Sequence, residues 1–359
     1  MLTPRERVLR TLSHEHPGLF PKDISFTPAA FETFKQATGS DDPFAYFGLE
    51  VAHVGPTRTS EPADYRPYFD EGELPGNAWI GDYGIAEVPS GFYHFTGLRY
   101  PAKRLDSVAQ WEEYPWPTWE YPDDAADTVA RWHERGFAVG GWTSHIWEIA
   151  WQVRSMDRLM LDFIERPEMA EYLLDRITDN CARCAAAAAR AGCDVVMFGD
   201  DVGMQDRLMM SPAMWRDWLF PRLERSVDAA KAVNPDVHTW YHSDGDVRAV
   251  IPGLIEAGID ILNPVQPECM DPKELRAEYG TTLAFWGCLG TQTTFPFGTP
   301  DDMRRTVFDL VETVGASGGL LLAPTHVIEP EVPWGNIAAF FQAIEEAAAS
   351  GSFHSPGAG

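Results

Sequence analysis

Between residues 137 and 326 the chain alternates short apolar runs with helix-length amphipathic stretches, the pattern of strands feeding helices in a parallel sheet. The runs are 137–143 (Phe-Ala-Val-Gly-Gly-Trp-Thr), 194–201, 237–242, 259–264, 282–288 and 319–326. Each is apolar along nearly its whole length rather than at alternate positions, as expected of strands covered on both faces. Two earlier segments fit the same role: 23–28 (Asp-Ile-Ser-Phe-Thr-Pro) as a first strand and 50–55 (Glu-Val-Ala-His-Val-Gly) as a second. Residues 4–12 read as a short amphipathic helix, and residues 143–190 as largely helical. About eight strands, each followed by a helix, close a (β/α)8 TIM barrel.

Residues 56–125 break this rhythm. They are rich in Pro, Gly and aromatic residues and contain a hairpin pattern over 84–88 and 91–95. A connection of that length inside a compact fold is expected to be a functional elaboration, here a lid-like insertion. Linker and repeat signals are absent before the Gly/Ser/Pro-rich stretch 350–359, which is read as a flexible tail. The expectation is one barrel domain over 1–349 with an elaborated N-terminal segment.

Composition narrows the function. With 359 residues and 45% hydrophobic content the chain can bury a large core. A net charge of −26 disfavours nucleic acid, whose phosphates it would repel. Membrane-length apolar runs and a signal-peptide pattern are lacking, and five cysteines do not suggest a disulfide framework, so a cytoplasmic protein without membrane partners is expected.

In parallel α/β folds the carboxyl ends of the strands form the mouth where active sites lie. The polar residues just past each run are therefore the candidates. They are Trp142, Thr143 and His145; Asp200, Asp201 and Gln205; His242, Asp244 and Asp246; Asn263 and Gln266; Cys288 and Gln292; and His326 with Glu329. The pair His242-x-Asp244 with His326 could hold a divalent metal, with Cys288 as a further thiol, leaving one position open for substrate or water. Asp200, Asp201 and His242 are the candidates for proton transfer and catalysis. Trp142, His145, Gln205, Asn263, Gln266 and Gln292 are expected to line a small-molecule site. Any of these residues could instead cap the following helix or tie down a loop.

Other patterns carry less. Cys181 and Cys184 have CxxC spacing but sit in an Ala-rich helical run, where small thiols pack. Gly140-Gly141 lacks the further glycines of a dinucleotide loop and the lysine of a P-loop.

The run from Tyr241 to Gln266 (Tyr-His-Ser-Asp-Gly-Asp-Val-Arg-Ala-Val-Ile-Pro-Gly-Leu-Ile-Glu-Ala-Gly-Ile-Asp-Ile-Leu-Asn-Pro-Val-Gln) resembles the hallmark of the uroporphyrinogen decarboxylase superfamily. It is most similar to the branch of cobamide-dependent methyltransferases. Supporting stretches are 198–205 with 211–215, 285–292 with 296–300, and 322–326 with 332–337, and the resemblance spans roughly residues 130–345. It implies a (β/α)8 barrel. True decarboxylases of the superfamily carry an arginine motif after the first strand to grip substrate carboxylates, whereas here residues 24–31 read Ile-Ser-Phe-Thr-Pro-Ala-Ala-Phe. The methyltransferase branch holds zinc with a His-x-Cys pair and a later Cys. His242 matches the histidine, Asp244 stands at the first cysteine, and His326 lies near the second. Oxygen and nitrogen in place of sulfur make a harder site, still suited to zinc and open to other divalent metals. The resemblance thus implies a metal-dependent enzyme that moves a methyl group between a small O- or N-methylated substrate and a corrinoid on a partner protein. Two alternatives stay open: a metal-independent lyase using Asp200 or Asp201, and a barrel that binds a small ligand without turnover.

Overall fold

The computed structural model describes residues 2–91 and 95–350. Its main sheet has seven parallel strands in chain order: β1 (Val51–Val54), β2 (Ala138–Trp142), β3 (Val195–Gly199), β4 (His238–His242), β5 (Ile261–Asn263), β6 (Ala284–Leu289) and β7 (Leu320–Pro324). Helices follow them in turn at Ala125–Glu134, Pro167–Ala191, Phe220–Lys231, Ile251–Glu256, Pro272–Tyr279, Pro300–Thr313 and Trp334–Ser350. This is the strand–helix repeat of a TIM-barrel fold.

The first expected strand differs. Residues 23–28 do not form a regular strand; they join β7 through isolated parallel bridges, Lys22 with Leu322 and Phe26 with Ile328. The amides of Asp23 and Thr27 donate to the Leu322 and Ile328 carbonyls at 3.0 Å each, and those two residues donate back to Pro21 and Ser25. Prolines at 21 and 28 have no N–H to extend a ladder. This segment supplies the eighth stave beside β7 and has no ladder to β1 among the described residues.

The strands are apolar throughout because each face meets a different layer. Val51, Ala138, Val195, Met197, Trp240, Ile261, Ala284, Trp286, Leu321 and Ala323 point inward and pack as one cluster. Their neighbours, such as Val139, Val196, Phe198, Tyr241, Leu262 and Phe285, face the helices. The helix Pro4–Leu12, started by a capping box between Thr3 and Glu6, sends Val8 and Leu12 into the inner cluster and stoppers the amino-terminal end of the sheet. Gly140 has a packing reason, since a Cβ there would lie 2.7 Å from the Met197 sulfur. Cys181 and Cys184 are buried in the long helix 167–191, their thiols pushed up by burial, as packing residues.

The segment 56–125 carries two small antiparallel sheets, one pairing Thr57–Arg58 with Trp119–Glu120 and one joining Trp79–Ile80, Ala86–Pro89 and Thr96–Arg99. The hairpin expected at 84–95 is present, with its return strand slightly later, and residues 92–94 of that pattern lie outside the described residues. So do residues 351–359 of the expected tail. Arg154, fully buried, ties the insertion down: its guanidinium pairs with Asp162 at 2.7 Å and donates to the carbonyls of Ala102 and Leu105. No helix among the described residues is long and apolar enough to cross a membrane.

Two stability tests follow from this architecture. Arg154→Met leaves two carbonyls without their donor and strips the strongest partner from a buried carboxylate, so it should cost about 3 kcal/mol, measured by urea unfolding. His14 stands at φ 59° against Gly318 and Gly319 with its Nδ1 unpartnered, and its pKa is lowered to about 4 by burial, then by the Arg276 and His238 charges. The native state therefore holds His14 neutral. Its contribution is complete above the ordinary histidine range and is lost as pH falls from about 6.5 towards 4. His14→Asn, which tolerates that backbone geometry, should make the loss of stability over this window shallower.

Candidate active site at the carboxyl ends of the strands

The loops after β3 and β4 carry the acidic residues, and a close backbone approach sets their positions. Gly245 adopts φ 82°, and a Cβ on it would meet the Met204 carbonyl at 2.5 Å; one on Gly203 would meet the Asp244 carbonyl at 2.4 Å. Only paired glycines let these loops touch. Across the contact Asp246 donates its amide to Met204 (2.7 Å), Val202 to the Ser243 hydroxyl (3.1 Å) and Asp244 to Asp201 Oδ1 (2.8 Å).

His242 ends β4, where its ring is fixed from the neighbouring strand. Asn263 donates its Nδ2 to the Trp286 carbonyl at 2.6 Å, so its Oδ1 must face His242 Nδ1, also at 2.6 Å, and accept from it. Trp240 lies parallel to the imidazole at 5.7 Å. In the neutral ring Nε2 then carries the lone pair. It points at Asp201 Oδ1 (3.6 Å) and Asp244 Oδ1 (4.0 Å), both too long for hydrogen bonds. The three ligand atoms lie within 4.8 Å of one another. Asp244 Oδ1 is buried with no hydrogen-bond partner among the described residues, and burial raises the Asp244 pKa. Three acceptors converge there, Asp201 Oδ1 holding only the Asp244 amide and Asp244 Oδ1 no donor among the described residues, an arrangement that a cation satisfies. The donor set fits a divalent ion of the zinc type.

His326 approaches the other oxygen of Asp244 at 4.0 Å, outside this tight set, and its side chain is half-exposed. The structure thus gathers Asp201 with His242 and Asp244 and leaves His326 one step out. Cys288 is turned away altogether. Gly287 at φ 136° and Cys288 at φ 70° rotate its side chain out of the strand alternation, so the thiol packs in the helix-side core and burial pushes its pKa up to about 12. A neutral, buried thiol is no ligand at this mouth.

Beside this set lies a second cluster, His145, Glu148 and Asp200, which is satisfied internally. His145 Nδ1 contacts Glu148 Oε2. Asp200 is 6% exposed and accepts from the amides of Ile146 (3.1 Å) and Glu148 (3.0 Å), anchoring the start of the helix Trp147–Arg154; burial raises its pKa to about 7. It faces backbone rather than the mouth, which corrects its expected catalytic placement. Burial alone would lower the His145 pKa, but the bond to Glu148 and the surrounding carboxylates raise it to about 9. Glu148 was not a candidate; its His-x-x-Glu spacing, one helical turn from His145, is the signal that could have found it.

The mouth is a cavity of about 490 Å³ walled by Trp142, Trp240, Trp286, His53, His242 and His326 among others, with no lysine or arginine in its lining. Trp142 and Asn263 line it. Gln266 does not: it is buried, and its Oε1 accepts from the Gly245 amide at 2.7 Å, bracing the glycine contact. Gln205 and Gln292 are exposed on the rim, where Gln205 Nε2 donates to the Glu268 carbonyl at 3.0 Å. Asp246 is paired with Arg248 at 2.6 Å.

Residues 101–347 match the protein-family model described as uroporphyrinogen decarboxylase (URO-D). Among curated proteins, the uroporphyrinogen decarboxylase of Synechococcus sp. (strain JA-2-3B'a(2-13)) is 27% identical over 183 residues, covering 51% of this chain and 50% of its own. The methylcobamide:CoM methyltransferase MtaA of Methanosarcina barkeri is 27% identical over 209 residues, covering 58% of each. The chain thus aligns with about half the length of these relatives. Among solved structures, a methyltransferase from Methanosarcina mazei shares the fold with a TM-score of 0.65 and 20% identity, over 96% of this chain and 99% of its own.

Removing the Asn263 amide frees the His242 ring. Asn263→Leu should lower Zn²⁺ affinity roughly 10–100-fold, read by competition with a chromophoric chelator; unchanged affinity would show that the ring needs no support.

Proposed function

The chain belongs to the uroporphyrinogen decarboxylase family, and from that membership we propose that it is a metal-dependent methyltransferase. It moves a methyl group between a small O- or N-methylated substrate and a corrinoid carried by a partner protein. The observation that carries this reading is the convergence of His242 Nε2, Asp201 Oδ1 and Asp244 Oδ1, with Asp244 Oδ1 buried and without a hydrogen-bond partner among the described residues.

A divalent ion, zinc by its donor set, would act there as a Lewis acid on the substrate heteroatom. The chain's own residues do the rest. Asn263 fixes the ring of His242, and the Gly203–Gly245 contact fixes both carboxylates, so the ligand atoms need little reorganisation. His326, one step out, can join through the second Asp244 oxygen. The tryptophan walls exclude water from the methyl group in transit. His145, held by Glu148, keeps a proton at the edge of the same cluster. The decarboxylase alternative is less favoured by the lining itself: a substrate bearing many carboxylates would meet a mouth with no lysine or arginine among the described residues in an acidic protein.

Protein purified without chelators should hold about one zinc per chain, and His242→Ala should hold none while folding normally by circular dichroism. Mixed with a reduced corrinoid protein and methylated substrates, the wild type should form methyl-cobalt, followed by its absorbance. His242→Ala should be slowed by at least about 100-fold, as expected for loss of a ligand and its positioned partner. Methyl transfer that survives both chelation and His242→Ala would overturn the assignment.

A further inference from the structure

Trp142 is a shared wall. On one side it packs edge-on against Trp240 (5.4 Å, 88°) at the mouth; on the other it bounds a separate chamber of about 460 Å³. That chamber lies between the strand ends and the insertion and includes Tyr83, Trp119, His145, Ile149 and Gln152 in its lining. We propose that this side chamber is a ligand subsite for a planar aromatic ring bearing a neutral oxygen acceptor such as a carboxamide.

Three features of the walls support the class. First, its flat surfaces are held in fixed orientations. The indole of Trp142 packs edge-on against Trp240, and its main chain is held by the bond from the Tyr121 hydroxyl to the Trp142 carbonyl (2.8 Å), while Tyr83 and Trp119 lie nearly parallel (6.5 Å, 18°). Rigid aromatic faces favour a flat partner over a puckered one of equal size, because only the flat one makes full contact. Second, the volume falls within the range of small-molecule sites and exceeds what one ring needs, leaving room for a substituent. Third, polar groups stand ready among the apolar ones. His145 Nδ1 is committed to Glu148, which leaves Nε2 as the ring's remaining polar atom, and the Gln152 amide makes no hydrogen bond among the described residues. The Gln152 amide can donate to an acceptor, as can His145 Nε2 when the ring carries a proton on both nitrogens.

The chamber also touches the convergent acceptors. Glu148, in its lining, accepts from the Asp201 amide at 3.4 Å. A ring seated here would lie next to the cluster of His242, Asp201 and Asp244, with Trp142 between chamber and mouth. The proposal deepens the methyl-transfer reading by giving the non-transferred part of the substrate a chemical class, and it rests on that reading only for the identification of the ligand as substrate.

Binding of benzamide and of cyclohexanecarboxamide to the full chain, measured by calorimetry, tests it. Benzamide should bind at one equivalent, and the puckered analogue at least 10-fold more weakly. Gln152→Leu and the chamber-filling Ile149→Phe, neither of which lines the mouth, should each weaken benzamide at least 10-fold. His242→Ala should leave benzamide binding unchanged, which separates this test from that of the metal centre. Equal binding of the two amides would overturn the proposal. So would benzamide binding that ignores both chamber variants, because the ring would then sit in the mouth.

Discussion

The direction of one lone pair governs the candidate site. Asn263 has no freedom to flip, because its Nδ2 is held by the Trp286 carbonyl, and so its oxygen dictates which nitrogen of His242 carries the hydrogen. Nε2 is then left as an acceptor facing two more acceptors. Two half-buried carboxylates side by side, one with a buried oxygen that lacks a donor, are costly. The fold sustains that cost through the Gly203–Gly245 contact, through Gln266 behind it, and through the strand order that places β3, β4 and β5 side by side.

The two neighbouring clusters show why composition alone does not identify a ligand site. His145, Glu148 and Asp200 hold the same residue types as Asp201, His242 and Asp244, at similar separations. In the first, every carboxylate has a donor: Glu148 has the imidazole, and Asp200 has two backbone amides at the start of a helix. In the second, Asp244 Oδ1 has none. The unmet valence, rather than the count of acids and histidines, separates a structural anchor from a candidate metal centre.

Much of the architecture was legible in the sequence because strands buried on both faces are apolar without alternation. The six runs from 137 to 326 each hold an observed strand, β6 extending one residue past the carboxyl end of its run. The segment 23–28 was harder, since prolines at 21 and 28 limit it to isolated bridges that pattern alone does not separate from a strand. Strand tips were equally legible as a set. What the sequence could not convey is which way each tip residue turns. Cys288 is rotated by two unusual backbone angles, Asp200 is drawn off by helix amides, and Gln266 by a glycine amide. Glu148 escaped notice because it lies on the helix after a strand, a full turn beyond its tip.

The stopper formed by Val8 and Leu12 has a consequence for traffic. With the far end of the barrel plugged by apolar side chains, whatever arrives at the strand ends departs by the same doorway. A ligand seated there therefore blocks the entry of the next until it has left, and exchange at this end of the barrel is sequential.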